Sequence, residues 1–307
     1  MCLYDALEIS RVLLQIIPAL ILTLVWPDLR ASRVSQPSAR PPDTSESAVV
    51  SAAAAYVEAY QERLTSVVAD EAYTQRIVTQ RPVDPSAPSS RKLESEIFFI
   101  FGPHERQWMA IRDVLRVDGA AVADRPDLNT ALRTLPSLDV HRTFKTYNSR
   151  FNLGRVTRDF NEPTLGLLVL DRHHKPRFRF DRRSVQLTEG TPLVTLEFTE
   201  KERPTLVQNL AGRPVYARGR LLVEAGSGAI RHAVLTLEID AVRIELITEY
   251  SQDDRLGMLV PRVFREIYQD GRPSGDSKKR ALEPYEHVTC EATYSNYRRF
   301  ETSARIK

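Results

Sequence analysis

From Leu193 to Phe300 the chain places apolar residues at every second position, in one segment after another, with hardly a helical stripe between them. A period of two belongs to strands, whose successive side chains point to opposite faces. Val194, Leu196 and Phe198 share one face, as do Ala233, Leu235, Leu237 and Ile239, and then Val242, Ile244 and Leu246. Gly226-Ser227-Gly228 reads as a hairpin turn joining Val215–Ala225 to Ile230–Asp240. Leu259–Tyr268 follows a turn at Gly257, a polar loop runs from Gln269 to Glu286, and Val288–Asn296 is the last clear strand. One apolar and one polar face per strand predicts an antiparallel sheet solvated on one side and covered by helices on the other.

The helices must come from the first half. Ala53, Tyr56, Val57, Tyr60, Leu64, Val67 and Val68 recur at helical spacing and predict a helix over Val50–Asp70. Leu93, Ser95, Ile97, Phe99 and Phe101 then alternate as a strand, with Gln107–Val117 as its partner. Asp118-Gly119 signals a type I′ turn, so a return strand is expected from Val122. Asp124–Ser137 and His141–Leu153 have weak helical patterns, and Leu165–Leu170 fits a short buried helix better than a strand. With about eleven strands, the expected fold class is α+β: a strongly curved antiparallel sheet, an unclosed barrel, wrapped over a few helices.

Val12–Trp26 (VLLQIIPALILTLVW) is shorter than a bilayer span and close to the apolar core of a signal peptide. Arg11 precedes it, although Asp5 and Glu8 oppose the usual positive balance. A cleaved signal and a retained anchor both imply export; a buried helix is the third reading. Residues 31–48 are rich in Ser, Pro and charge and cannot bury enough apolar surface to fold. Ser45 or Ser47 offers an N-cap for the helix that follows. The expected organisation is therefore a signal peptide or anchor over 1–30, a disordered linker over 31–48 and a single domain over 49–307. With 43 basic against 40 acidic residues, a net charge of +3 is too balanced for a nucleic-acid protein.

No catalytic motif is present in the sequence. Gly226-Ser227-Gly228 lies between strands and is no nucleophile elbow. His173-His174 would point apart on an extended segment, so no metal is expected, and no cofactor either. Asp253-Asp254 reads as turn-shaping carboxylates. Cys290 alternates with Val288 and Ala292 and reads as a small buried hydrophobe. The run Arg172–Arg183 is densely basic, with Arg177 and Arg179 alternating with Phe178 and Phe180. It fits a strand with one cationic face, either simply solvated or set against anionic lipid headgroups or an acidic partner.

Tyr60-Gln61-Glu62-Arg63-Leu64, GRLLVEAGSGAIRHAVLTLEI, RLGMLVPRVFREIY and EATYSNYRRF resemble blocks of the LolA/LolB-like, lipoprotein-sorting superfamily of the bacterial envelope. VVADEAYTQ, IRDVLRVDG and NLGRVTRDFNEPTLGLLVL resemble blocks of exported bacterial proteins of unassigned function. The resemblance implies an N-terminal helix, an unclosed barrel with a helical plug, and a non-enzymatic exported protein. Its place would be the periplasm, either free or anchored to the inner membrane through residues 12–26. On this reading the concave face binds a lipid, a lipoprotein acyl chain or another apolar ligand. Phe99, Phe101, Leu196, Phe198, Leu235, Leu237, Ile244 and Leu246 are the candidate lining, and Arg177 and Arg179 are the candidate headgroup contacts. The alternative is an envelope sensor or scaffold of the same fold, acting through a protein partner with no free cavity.

Overall fold

The computed structural model describes residues 41–79, 88–102, 107–156, 158, 160, 162–271 and 285–300. The apolar run 12–26 lies outside them, as do residues 31–40 of the expected linker and most of the loop between the last two strands. Among the described residues no helix is long and apolar enough to cross a membrane.

In chain order the elements are α1 (Glu46–Leu64), β1 (Val67–Thr79), β2 (Ser90–Gly102), β3 (Gln107–Val117), β4 (Ala120–Ala121), α2 (Leu128–Thr134) and α3 (Ser137–Asn148). Next come β5 (Phe178–Thr188), β6 (Thr191–Glu200), β7 (Val207–Gln208), β8 (Pro214–Val215) and β9 (Arg218–Glu224). The chain then runs through β10 (Ile230–Ile239), β11 (Val242–Asp253), β12 (Met258–Asp270) and β13 (Glu286–Arg299). Short 3₁₀ turns occupy Ser149–Phe151, Leu165–Leu170 and Lys175–Arg177.

Eleven strands form one antiparallel sheet, in the order β4-β3-β2-β1-β13-β12-β11-β10-β9-β6-β5. The sheet is not closed: β4 and β5 are its two edges. β7 and β8 make a separate two-stranded ribbon. The α+β class and the strand number agree with the sequence reading.

The structure corrects three expectations. The first helix ends at Leu64 instead of Asp70, and the chain enters β1 at Val67. Ser66 turns it with a φ of 61°, after which the β-branched pair Val67-Val68 belongs to a strand, where such side chains pack well. Asp118 and Gly119 do make the expected turn, both with positive φ, but only Ala120 and Ala121 return along β3. The Asp127 side chain then caps α2 by accepting from the Thr130 backbone N–H at 3.1 Å. Leu165–Leu170 is a short buried helix, as expected, of the 3₁₀ kind.

The third correction concerns the layers. Helices lie on both faces of the sheet. On the inner face, Val49, Ala53, Val57, Tyr60 and Leu64 of α1 and Leu167–Leu170 join the main core. On the outer face, Val68, Phe98 and Ile111 pack with Leu128 of α2 and Val140 and Phe144 of α3.

Glycine is essential where α1 meets the β9–β10 turn. Gly228 has a φ of 71°, and a methyl there would sit 2.2 Å from the Ala52 carbonyl oxygen. Both the left-handed backbone and the contact exclude a side chain.

Candidate functional site: the inner face of the sheet

The eight apolar residues expected to face a ligand do share the inner face, and all are buried. Their exposures run from 0% at Leu196 and Leu237 to 8% at Phe101. Phe99 stacks with Tyr297, Phe101 meets Trp108 edge to face, and Phe178 meets Phe198 likewise. The 165–170 turn lies directly on β10, where a methyl at Gly166 would stand 3.4 Å from the Ala233 Cβ. These side chains fill the interior together with α1 and that turn.

Polar ties hold the plug down. The Gln61 amide on α1 donates to the Asp171 carboxylate at 2.9 Å, and Arg63 donates to the Gly257 carbonyl at 2.7 Å. A cleft of about 190 Å³ remains beside α1, lined by Ala54, Ala55, Glu58, Leu170, Asp171, Arg172 and Lys175. Glu58 and Arg172 pair across it at 3.4 Å.

A buried polar row crosses the middle of the sheet and was not anticipated from sequence. Gln75, Cys290, Glu266 and Leu246 stand opposite one another on β1, β13, β12 and β11. Glu266 is fully buried and accepts hydrogen bonds from the Tyr73 hydroxyl at 3.0 Å and from the Tyr268 hydroxyl. Nearby, Arg112 grips Glu71 with two hydrogen bonds, one of 2.8 Å, and its guanidinium lies 4.2 Å from the centre of the Tyr73 ring. Burial works to strip Arg112 of its proton, but the paired Glu71 outweighs it and holds the guanidinium charged. Arg158 donates to Gln75 and to the Leu153 carbonyl.

This row is built for packing. Burial pushes the Cys290 thiol up to about 12, so no thiolate nucleophile forms there. Its cross-strand neighbours are Gln75 and Glu266, so its surroundings are more polar than the Val288/Ala292 spacing implied. The hydroxyls of Tyr73, Tyr268 and Tyr294 are likewise raised by burial.

Burial also lifts the Glu266 carboxyl to about 6, against the lowering pull of Tyr268, Arg112, Arg158 and Tyr73. A carboxyl raised on folding penalises the native state once it must ionise. The penalty is absent below about 4.5, where the unfolded group is protonated too, and grows until pH passes about 6. A rise of this kind corresponds to roughly 2 kcal/mol at neutral pH. The wild type is therefore expected to lose that much stability relative to Glu266→Gln between pH 4.5 and 7, read from urea denaturation. A difference that stays flat, or runs the other way, contradicts the assignment.

The basic run does not present one face. Arg177 lies in the 3₁₀ turn at Pro176, donating to the Pro204 carbonyl and meeting His174, while β5 begins only at Phe178. Arg179 is exposed on β5 and pairs with Asp181 at 2.8 Å.

An open, curved eleven-stranded antiparallel sheet with an inner helical plug and an outer pair of helices defines the class of this α+β protein. No family model matches the chain, and no curated protein does. Among solved structures it is similar to a domain named for outer membrane lipoprotein sorting from Vibrio parahaemolyticus. That match has 9% identity, covers 82% of this chain and 95% of that one, and has a TM-score of 0.39. A DUF1329 family protein from Desulfovibrio piger is similar at 12% identity, over 83% of this chain and 98% of that one, with a TM-score of 0.37. Neither likeness assigns a ligand or a role to any residue here.

Proposed function

We propose that the chain is a non-enzymatic cell-envelope protein that acts through a partner, as a sensor or scaffold, with its interior closed. The carrying observation is that the eight apolar inner-face residues are already buried, none more than 8% exposed, in one core with α1 and the 165–170 turn. Export is the expectation from residues 12–26, and the envelope setting rests on the sequence resemblance.

Magnitudes separate this reading from that of a lipid carrier. For an acyl chain to take the inner face, α1 must leave it. Exposing Val49, Val57, Tyr60 and Leu64 costs roughly 6–12 kcal/mol at the usual value for large buried side chains. An acyl chain of a dozen methylenes gains roughly 10 kcal/mol gross, and association itself costs several. The exchange runs uphill. The carrier reading keeps one point in its favour, the cleft beside α1, whose rim carries Arg172 and Lys175.

The test is native mass spectrometry of the protein purified from the envelope, followed by titration with a fluorescent fatty acid. The proposal expects the bare polypeptide mass and no saturable probe binding. A stoichiometric lipid adduct, displaced by the probe, would overturn it in favour of the carrier.

A further inference from the structure

The two edges of the sheet are treated differently. Along β3 three outward backbone groups are occupied: the Ala110 N–H donates to Glu162 at 2.8 Å, the Arg112 carbonyl accepts from Asn148 at 2.7 Å, and the Leu115 carbonyl accepts from the Val122 N–H at 3.0 Å. Beyond them Arg116 and Val117 pair with β4. An edge finished in this way cannot accept another strand.

β5 is not finished. Lys201 N–H donates to the Arg177 carbonyl, which makes Phe178 and Glu200 a pair whose own backbone groups point away from each other. Alternation then turns the backbone groups of Phe180 and Arg182 outward, and the Arg182 N–H does point that way, donating to Glu46 at 2.9 Å. The register shifts once, between Arg182 and Ser184. Past it, Val185 opposes Val194 and Leu187 opposes Pro192. The Pro192 carbonyl accepts from Ala225 on the side away from β5, so Leu187, and by alternation Val185, also turn their backbone groups outward. Every residue from Arg182 to Gly190 is exposed, with Val185 at 44% and Leu187 at 72%.

We infer that β5 is a docking edge for an extended acidic segment of a partner protein, which adds to the sheet as a twelfth strand. The inference rests on the reading that this protein acts through a partner. Outward N–H and C=O groups supply the backbone pairing, and Val185 and Leu187 offer apolar contacts to alternate side chains. Charge selects the partner. Of the three arginines on β5, Arg179 pairs with Asp181 at 2.8 Å and Arg183 with Glu197 at 2.7 Å, while the Arg182 guanidinium has no ion pair among the described residues. An acidic strand meets the unpaired Arg182, whereas a second copy of this chain would bring another Arg182 to the same edge.

The full chain is titrated with a short synthetic peptide alternating glutamate and valine, and with its lysine/valine counterpart, by fluorescence anisotropy. Saturable binding of the glutamate peptide alone is expected. Val185→Pro removes one outward N–H and spares the pairing with β6, so it should abolish binding, while Val185→Thr should keep it. Arg182→Glu combined with Arg183→Glu should weaken binding at least about tenfold. Circular dichroism checks that each variant is folded.

Several results overturn the inference: equal binding of both peptides, no binding of either, or a folded Val185→Pro that binds like wild type. A dimer in sedimentation that Val185→Pro dissolves, or binding to phosphatidylglycerol vesicles that it leaves intact, does so too. The wider reading fails separately, on a lipid adduct in the mass spectrum. A lipid-free protein that ignores the peptide sinks only the claim about β5.

Discussion

Arg112→Met is expected to destabilise the protein by about 3–5 kcal/mol, because it leaves Glu71 buried without its partner. Both side chains are nearly inaccessible, at 5% and 0%, so water cannot replace the lost contacts. The guanidinium also leaves the face of Tyr73. Removing both partners tests the cause. Arg112→Met with Glu71→Leu fills similar volume with apolar atoms and should recover most of the loss. Urea denaturation of the two variants decides it. A single substitution that costs under about 1 kcal/mol would mean that the pair is not desolvated in solution.

Leu237→Ala is expected to cost about 2–5 kcal/mol, the range for a leucine truncated inside a closed core. Leu237 is 0% exposed, on a face shared with Leu235 and Ile244. Had these residues lined an open ligand cavity, most of that cost would be missing, since a cavity wall lacks packing partners on one side. Leu187→Ala, at a site 72% exposed, serves as the comparison and should change stability by less than about 0.5 kcal/mol. Equal, small effects at both positions would point to an open interior.

The sheet was legible because its strands are amphipathic and its turns carry their own signals. Asp118-Gly119 and Gly226-Ser227-Gly228 fixed two hairpins, and alternation from Leu193 onward fixed the faces. The buried polar row was not legible. Gln75 meets Cys290 only because β1 pairs with β13, across more than two hundred residues of chain. Glu71, Tyr73 and Gln75 alternate as a solvated face would, and only the position of β1 in mid-sheet shows that they point inward. The outer helices left a trace that the alternation rule passed over. Phe98 and Ile100 sit between Ile97, Phe99 and Phe101, so β2 is apolar on both sides and needs cover on both. The apolar inner-face set was identified correctly as a face, but alternation alone cannot say whether a ligand or the chain's own α1 fills it.

The closed interior is tested most directly by amide hydrogen exchange along α1, with and without excess fatty acid. Val49, Val57 and Leu64 are fully buried against the sheet, so the α1 amides should exchange only through global unfolding, at a rate that fatty acid does not change. Selective loss of protection in α1 on adding fatty acid, while β10 and β11 stay protected, would mean that the helix yields its place to a ligand, and would contradict the account.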